Sequence, residues 1–594
     1  GIDKYLYYTE DPEEYSVPNP LWNAHLNNYD VQDQFGFTNN FILEWFATND
    51  LRARAKFGIS KNSSTAEVRL SPQHSDFDEM SETEKGLYTN AQTKNLNYEG
   101  DISATYGRLF AGKHMVNAVA GFNFSTKENS KNGYKAIGFT EDEFDAPSFT
   151  NSYPAGSKPT YKESKTRAAS FYINGGYAYD NRYLFDFNYR SDGTSVFGTN
   201  NRFRNTWSVG LGWNIHAEKF MENCDFFQLL KLRGSVGNPG NQNFASYQAF
   251  STYAFTHWMS NIFGTGVILE GLGNPDLAWQ ETINYSLGTD VTMFNERVNL
   301  TVDLYRKKTD PLVAAITTPS SIGVKSVMMN MGQLKTDGIE VTLKVSPIYR
   351  PQDRFVWNIS LNGTHAKSKY SKIGNRLQSM NEQNQANLNT TRYYDGGSPT
   401  DIWAVRSAGI DPATGQDLFI KKDGTYTFTY DKNDEVVVGN TEPKLEGVLG
   451  TTLYYKGLSF GCYLRYRLGG QVFNNALYEK VENIDREGIN YNQDKRALYD
   501  RWSTPGQEAK FKRISLFQTT ETSSRFVMDE NTLSGESFNI GYEFTQPFIK
   551  HIGLSTLTVQ ANMNDIFRVS SVKSERGIDY PFARTMSFSI SATF

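Results

Sequence analysis

Along much of this chain apolar and polar residues alternate one by one, most cleanly at the C-terminus. Met586, Phe588, Ile590, Ala592 and Phe594 share one face, and Thr585, Ser587, Ser589, Ser591 and Thr593 the other. Successive side chains on a strand point to opposite faces, so this spacing predicts a strand with one apolar and one polar side. The pattern returns over Leu458–Leu468, Val298–Leu304, Ile283–Met293 and Tyr183–Tyr189, and in the row Ala169, Phe171, Ile173, Tyr177 and Tyr179. Further alternating stretches lie near 34–46, 49–60, 93–108, 114–125, 204–217, 334–348, 353–367, 443–456, 533–545 and 552–565. Together they amount to about 16–18 strands, many of about 11–14 residues. Sandwich strands average about 5–6 residues, whereas a tilted membrane strand needs about 9–11. Length therefore predicts an all-β fold, a large antiparallel transmembrane β-barrel.

The connections alternate between short and long. Tight turns are expected at Tyr179-Asp180-Asn181-Arg182, Asn295-Glu296-Arg297, Lys456-Gly457 and Ala111-Gly112-Lys113-His114. Long polar segments, read as loops, fall at about 61–91, 126–164, 237–280, 309–333, 368–442 and 470–530. Short turns on one side and long loops on the other are the arrangement of bacterial outer-membrane barrels. Trp207, Trp213, Tyr454 and Tyr455, near strand ends, suit the aromatic girdles at the membrane interfaces. A short helix is expected around Ala217–Phe226.

Composition agrees with a strand-built membrane wall. The 594 residues are 38% hydrophobic and 14% aromatic, yet mean hydropathy is −0.55. A helical span needs about 20 mostly apolar residues, and the apolar runs here are short, as at Phe41 to Phe46. Membrane strands tolerate the polar average because only alternate residues face lipid. The net charge of −5, with no long basic run, argues against a nucleic-acid partner. Cys224 and Cys462 lie far apart in sequence, and a wall held by its own ladder needs no disulfide. The opening Gly1-Ile2-Asp3-Lys4 has neither Met nor an apolar leader, so the chain reads as a piece of a longer or processed polypeptide.

No catalytic, cofactor-binding or metal site emerges. Gly107-Arg108-Leu109-Phe110-Ala111-Gly112-Lys113-His114 approaches a phosphate loop, but His114 replaces the hydroxyl residue and the segment joins two strands. Gly535-Glu536-Ser537-Phe538-Asn539 fails the nucleophile-elbow pattern at its last residue. His216 and Glu218 lack companion ligands at metal spacing, and the acidic stretch Asp431, Asp434, Glu435 lacks the glycine and distal Glu of a calcium loop. The glycine-rich 237–241 reads as a turn. Two sets of residues stand out. Phe588, Ile590 and Phe594 form an outer-membrane assembly signal, a terminal aromatic closing an alternating strand. Tyr253, Trp258, Tyr393, Tyr394 and Trp403, in the long loops, are candidate substrate or partner contacts, although packing within the loops is the stronger account of any one of them.

Several phrases resemble the SusC/RagA family of TonB-dependent outer-membrane transporters. Arg190-Ser191-Asp192-Gly193-Thr194-Ser195-Val196-Phe197-Gly198 is similar to its "R-x-D-G-S-S-x-F-G" phrase. Leu230-Lys231-Leu232-Arg233-Gly234-Ser235-Val236-Gly237-Asn238-Pro239-Gly240-Asn241 resembles its "L-K-L-R-x-S-x-G-x-x-G-N". Gly409-Ile410-Asp411-Pro412-Ala413-Thr414-Gly415 resembles its "G-I-D-P-x-T-G". The phrases near 534–540 and 563–567 depart from the family pattern, which weakens any inference about substrate. The resemblance implies a barrel of about 22 strands with a plugged lumen. Residues 1–594 would then be its C-terminal portion, with the plug domain, the TonB box and the first strands lying outside the chain. It implies TonB-energised import of an oligosaccharide or peptide in a Gram-negative outer membrane. The implied partners are a SusD-like surface lipoprotein, TonB, the outer-membrane insertion machinery, and the lipid bilayer with its lipopolysaccharide. It also allows a dimer of barrel–lipoprotein pairs. Two other readings stay open: a barrel serving as a subunit of an assembly or secretion machine, and a passive porin.

Overall fold

A computed structural model describes residues 2–594 except 11–12, 197–201, 240–250, 263, 275, 279, 485–492, 516–518, 545–548, 550, 552 and 574–583. Seventeen strands make one sheet. The first five are β1 (Tyr29–Phe46), β2 (Leu51–Leu70), β3 (Leu87–Phe110), β4 (His114–Ile137) and β5 (Thr160–Tyr179). Shorter strands follow: β6 (Tyr183–Thr194), β7 (Phe203–Asn214), β8 (Phe227–Asn238), β9 (Thr282–Met293) and β10 (Val298–Thr309). The ring continues through β11 (Gln333–Arg350), β12 (Phe355–Ser371), β13 (Leu445–Tyr455) and β14 (Leu458–Phe473). It ends with β15 (Val527–Phe544), β16 (Thr556–Ser570) and β17 (Met586–Thr593).

Every strand pairs antiparallel with its neighbours in chain order, as the alternating turns and loops require. The turns work because their residues reach left-handed backbone: Asp180 and Asn181 have φ of 50° and 55°, and Lys456 and Gly457 of 49° and 100°. The strand order runs round to bring β17 beside β1. That seam has no residue-by-residue register, and both of its strands are exposed on both faces over nearly their whole length. The sheet is a ring in order, with one unsealed junction. Parity explains the difficulty, because in an odd-numbered antiparallel ring the first and last strands run the same way.

Register assigns the faces. Phe588, Ile590 and Met586 lie on the outer face with Val559 and Met563 opposite them. Leu458, Phe460 and Leu464 share the outer face of β14 with Leu453 and Leu449. The outward Phe41, Leu43 and Trp45 of β1 are 65–71% exposed, as a lipid-facing surface must be when no lipid is counted. Trp207, Trp213 and Tyr455 also face outward, but Tyr454 turns to the inner face, where Arg354 donates to its hydroxyl. Both cysteines are free.

Three expectations need correcting. The expected helix at 217–226 is two 3-10 turns, Ile215–Ala217 and Lys219–Met221. The segments 61–70, 87–91, 126–137 and 160–164, read as loop, are strand: β2 to β5 run 20, 24, 24 and 20 residues. That is about twice the 9–11 residues or so needed to cross the bilayer, so these four strands rise well beyond it as a tall wall. The long segments 372–444 and 474–526 are not structureless. They fold into a roof with a helix (α1, Gln378–Ala386), a four-stranded sheet (401–410, 417–420, 426–427, 435–440) and a six-residue π-helix (Leu477–Glu482).

Candidate functional site

The functional surface of a hollow wall is its inner face, and here that face is charged. Arg190 and Asp192 lie two apart on β6 and so share it. The Arg190 Nε donates to the Asp192 Oδ1 at 2.6 Å, and the Ser170 hydroxyl on β5 donates to the same oxygen at 2.5 Å. The Tyr172 hydroxyl reaches back to Asp101 on β3 at 3.0 Å, and Lys56 on β2 pairs with Glu99 at 3.1 Å. Arg54, Lys56, Glu99, Asp101, Arg190 and Asp192 border a polar recess of about 720 Å³. The sequence phrase around Asp192 is thus built into the lumen wall. Gly193 belongs to it for packing: a Cβ there would meet the Phe203 ring at 2.5 Å.

The second phrase does similar work. Arg233 projects inward from β8 and forks between Asp290 on β9 at 3.0 Å and Asp303 on β10 at 2.7 Å. A Cβ at Gly288 would lie 2.7 Å from the Arg233 Cζ, so glycine makes room for the guanidinium. Further along, Arg204 is buried and donates to the Asn238 side chain at 2.8 Å, tying β7 to the end of β8. These partners were missed by sequence reading. Alternation put Asp290 and Asp303 in polar rows, but nothing local joins them to an arginine so far along the chain.

The third phrase anchors the roof. Gly409 and Gly415 adopt φ of 101° and 69°, and the Asp411 side chain accepts from the Thr414 hydroxyl at 2.6 Å. The Trp502 indole lies 2.4 Å from where a Cβ on Gly415 would stand, and its Nε1 donates to the Pro412 carbonyl at 2.8 Å. The segment 409–415 is thereby clamped to the 474–526 segment. Beneath lies a core of Leu477, Val481, Ala497, Phe511 and Phe526. Arg525 joins Asp417 at 2.8 Å and Glu482 at 2.9 Å beside that core. Burial alone would pull the Arg525 guanidinium down, but the Glu482 and Asp417 carboxylates outweigh it and raise it. Burial pushes the Tyr430 phenol up to about 12 and lowers the Lys512 ammonium, the latter helped by Arg525 and Arg501. A second buried pair, Arg392–Glu435 at 2.8 Å, ties the strand 435–440 to the segment after α1.

The structure separates the residues singled out from sequence. Phe588 and Ile590 are on the outer face of β17, and Phe594 follows it, 91% exposed. Tyr253 is exposed on the hairpin 252–271. Trp258 lies in the same hairpin, but its side chain is outside the described residues. Tyr393 packs into a roof cluster with Met331, Ile373 and Leu377, its ring 5.9 Å from Tyr370. Tyr394 and Trp403 come together, ring centroids 5.2 Å apart.

Comparison with known proteins follows this geometry. The family model described as "TonB dependent receptor-like, beta-barrel" matches residues 3–477. TonB-dependent receptor P39 of Formosa agariphila is 24% identical over 603 residues, an alignment covering 93% of this chain and 56% of that protein. TonB-dependent receptor SusC of Bacteroides thetaiotaomicron is 25% identical over 454 residues, 72% of this chain and 43% of SusC. Among solved structures, the RagAB peptide transporter superposes with a TM-score of 0.82 at 21% identity, over 96% of this chain and 62% of its own. The fold is shared, and the chain spans about two-fifths to three-fifths of the length of the relatives it matches.

Proposed function

We propose that this chain, which belongs to the TonB dependent receptor-like β-barrel family, forms most of the wall of an active importer in the Gram-negative outer membrane. The observation that carries the reading is the contrast between the two faces of one sheet. The outer face presents an apolar band, while the inner face holds fixed ion pairs such as Arg233 with Asp290 and Asp303. A wall of this kind suits a lumen filled with water, polar protein and polar cargo.

The seam supports a larger whole. Two unpaired edges in lipid would leave backbone groups unsatisfied, at several kcal/mol each. An odd number of further strands between β17 and β1 would restore antiparallel closure on both sides. The reading therefore includes additional strands, an N-terminal plug and a TonB box preceding residue 1. It also includes a SusD-like lipoprotein lying over the loops, TonB as energy source, and an oligosaccharide or peptide as cargo. Phe588, Ile590 and Phe594 serve insertion by the assembly machinery, in contact with lipid and lipopolysaccharide. The reading extends to a dimer of barrel–lipoprotein pairs. The names of the relatives, a TonB-dependent receptor and the RagAB peptide importer, support import over the alternatives.

The test is purification of the full-length protein from its native membrane, with mass spectrometry, planar-bilayer conductance and uptake by energised cells. The expected result is a non-conducting barrel that carries its plug and a lipoprotein, with uptake abolished by a protonophore. A freely conducting, unplugged barrel would make the protein a porin. Recovery with secretion components and no uptake would make it a scaffold.

A further inference from the structure

We propose that the inner face of the tall wall is a binding surface for an anionic oligosaccharide, met before cargo enters the lumen. The proposal rests on the import reading and names the chemical class of what is imported. Beyond the apolar band, β2 to β5 continue as a sheet, with β1 beside β2 up to Tyr29, and register separates its two faces. The outward face carries both signs: Lys165 pairs with Glu128, and Glu67 accepts from the Tyr88 hydroxyl at 3.0 Å. The inward face differs. Above Glu99, which is already paired with Lys56, it carries Lys127, Lys131, Lys135 and Lys162 and no carboxylate on β2 to β5; β1 adds Asp30, opposite Val68 at the rim and two strands away from β4.

All four lysines are exposed, and among the described residues none of them forms an ion pair. Lys131 and Lys162 stand directly opposite each other in the register of β4 and β5. Like charges so placed destabilise a sheet, and an anion between them would remove that cost. Lys127, Lys131 and Lys135 recur every fourth residue along β4, a spacing of about 13 Å at the rise of a strand. A regular line of cations of this length matches a chain that repeats its negative charge. Between the lysines lie Asn95, Asn97 and Asn129, amides suited to sugar hydroxyls, and the one apolar side chain among them, Ala91, is too small to hold a peptide's side chains. Lipopolysaccharide would meet the outward face, where Glu67, Glu128 and Glu163 stand among the cations. At its foot the inward face runs into the mixed-charge recess where Arg54, Lys56 and Arg190 stand among Glu99, Asp101 and Asp192.

The experiment uses the full-length protein with its lipoprotein in detergent, and calorimetric titration with four probes. These are a galacturonate decamer, its fully methyl-esterified neutral counterpart, a sulfated galactan oligomer and a poly-glutamate of equal charge. The acidic sugars should bind at least about tenfold tighter than the neutral one at low salt, and the gap should shrink as salt is added. The ranking of galacturonate against sulfated galactan tells carboxylated from sulfated cargo. Lys131→Gln/Lys162→Gln should close the gap, whereas Lys61→Gln/Lys94→Gln on the outward face should leave it open. Heat-modifiability on gels confirms that each variant barrel has folded, and Lys→Arg replacements at 131 and 162 should restore binding. Equal affinity for charged and neutral sugars, or an unchanged gap in the inward variant, overturns the proposal. Tighter binding of poly-glutamate assigns the surface to acidic peptides and overturns it too. Loss of the lipoprotein from the inward variant with sugar binding intact assigns the lysines to the partner and likewise overturns it. Selective binding without energised uptake would instead overturn the import reading and leave this surface standing.

Discussion

The tall wall and the roof flank the same mouth on far sides of the strand order, and they are held together by different physics. Beyond the membrane the tall wall has only a small buried cap at its rim, Arg69, Tyr88, Ala136 and Phe139. Its β3–β4 register runs unbroken over 24 residue pairs with polar side chains on both faces. The roof, built from two loop segments with few ladder bonds, has an apolar core and buried ion pairs. The comparison teaches that a barrel can extend its strands into water mainly on backbone pairing, because each strand inherits its register from the membrane part. A loop domain inherits nothing and must bury side chains.

The largest effect should come from Arg525→Met. It strands Asp417 and Glu482 without their cation, and breaking a buried pair from one side costs about 3–5 kcal/mol. Limited proteolysis should then cut within 474–526 while the barrel remains heat-modifiable. Loss of the barrel together with the roof would show that the two regions are not separable. Next comes the membrane part shared by both regions. Phe588→Arg should destabilise the barrel by about 2–4 kcal/mol, and Ser587→Arg by far less, as read from urea titrations in lipid. Equal losses at the two positions would erase the distinction between faces.

Hydrogen exchange sharpens the comparison further. Amides at 91–98 and 127–133 should exchange faster than those at 99–110 and 114–125, because water reaches both sides of that part of the ladder. Amides near Val481 and Phe526 should be as slow as the membrane strands. The smallest effect is acid lability of the roof. Arg496 holds the Asp494 carboxyl below its usual range, and hydrogen bonds from Thr414 and Thr425 do the same for Asp411 and Asp423. A depressed carboxylate pKa adds stability that is present above the ordinary value of about 4 and is lost as pH falls through the folded-state value. Protease resistance of the roof should therefore persist from neutral pH to about pH 4 and decline below it, while the tall wall shows no matching transition.

The same contrast marks what was legible in the sequence. Where lipid lies on one side and water on the other, alternation is forced, and β14, β17 and their neighbours were readable residue by residue. Where water lies on both sides, alternation has no cause, so the upper parts of β2 to β5 looked like loops. Residues such as Lys131 could then not be assigned to a face. The roof failed to show for another reason: Arg525 and Asp417 meet at a separation of 108 residues, and no local pattern carries that contact. The lumen pairs lie between these cases. Their polar rows were visible, but their partners were not. Tyr393 was singled out as a contact candidate because loop aromatics look alike in sequence whether they pack inward, as it does, or stand exposed, as Tyr253 does.

One measurement tests the central claim of a lipid-backed, water-lined wall most directly. In the full-length protein with Cys224 and Cys462 replaced by Ser, single cysteines at Phe588, Ser587, Leu464 and Arg465 would be labelled in intact outer membranes. A membrane-permeant apolar maleimide and a charged, water-soluble one would be compared. The account predicts that 588 and 464 react with the apolar reagent alone, while 587 and 465 react with the charged one. Indistinguishable labelling of neighbouring positions by both reagents, or protection of all four from both, would contradict it.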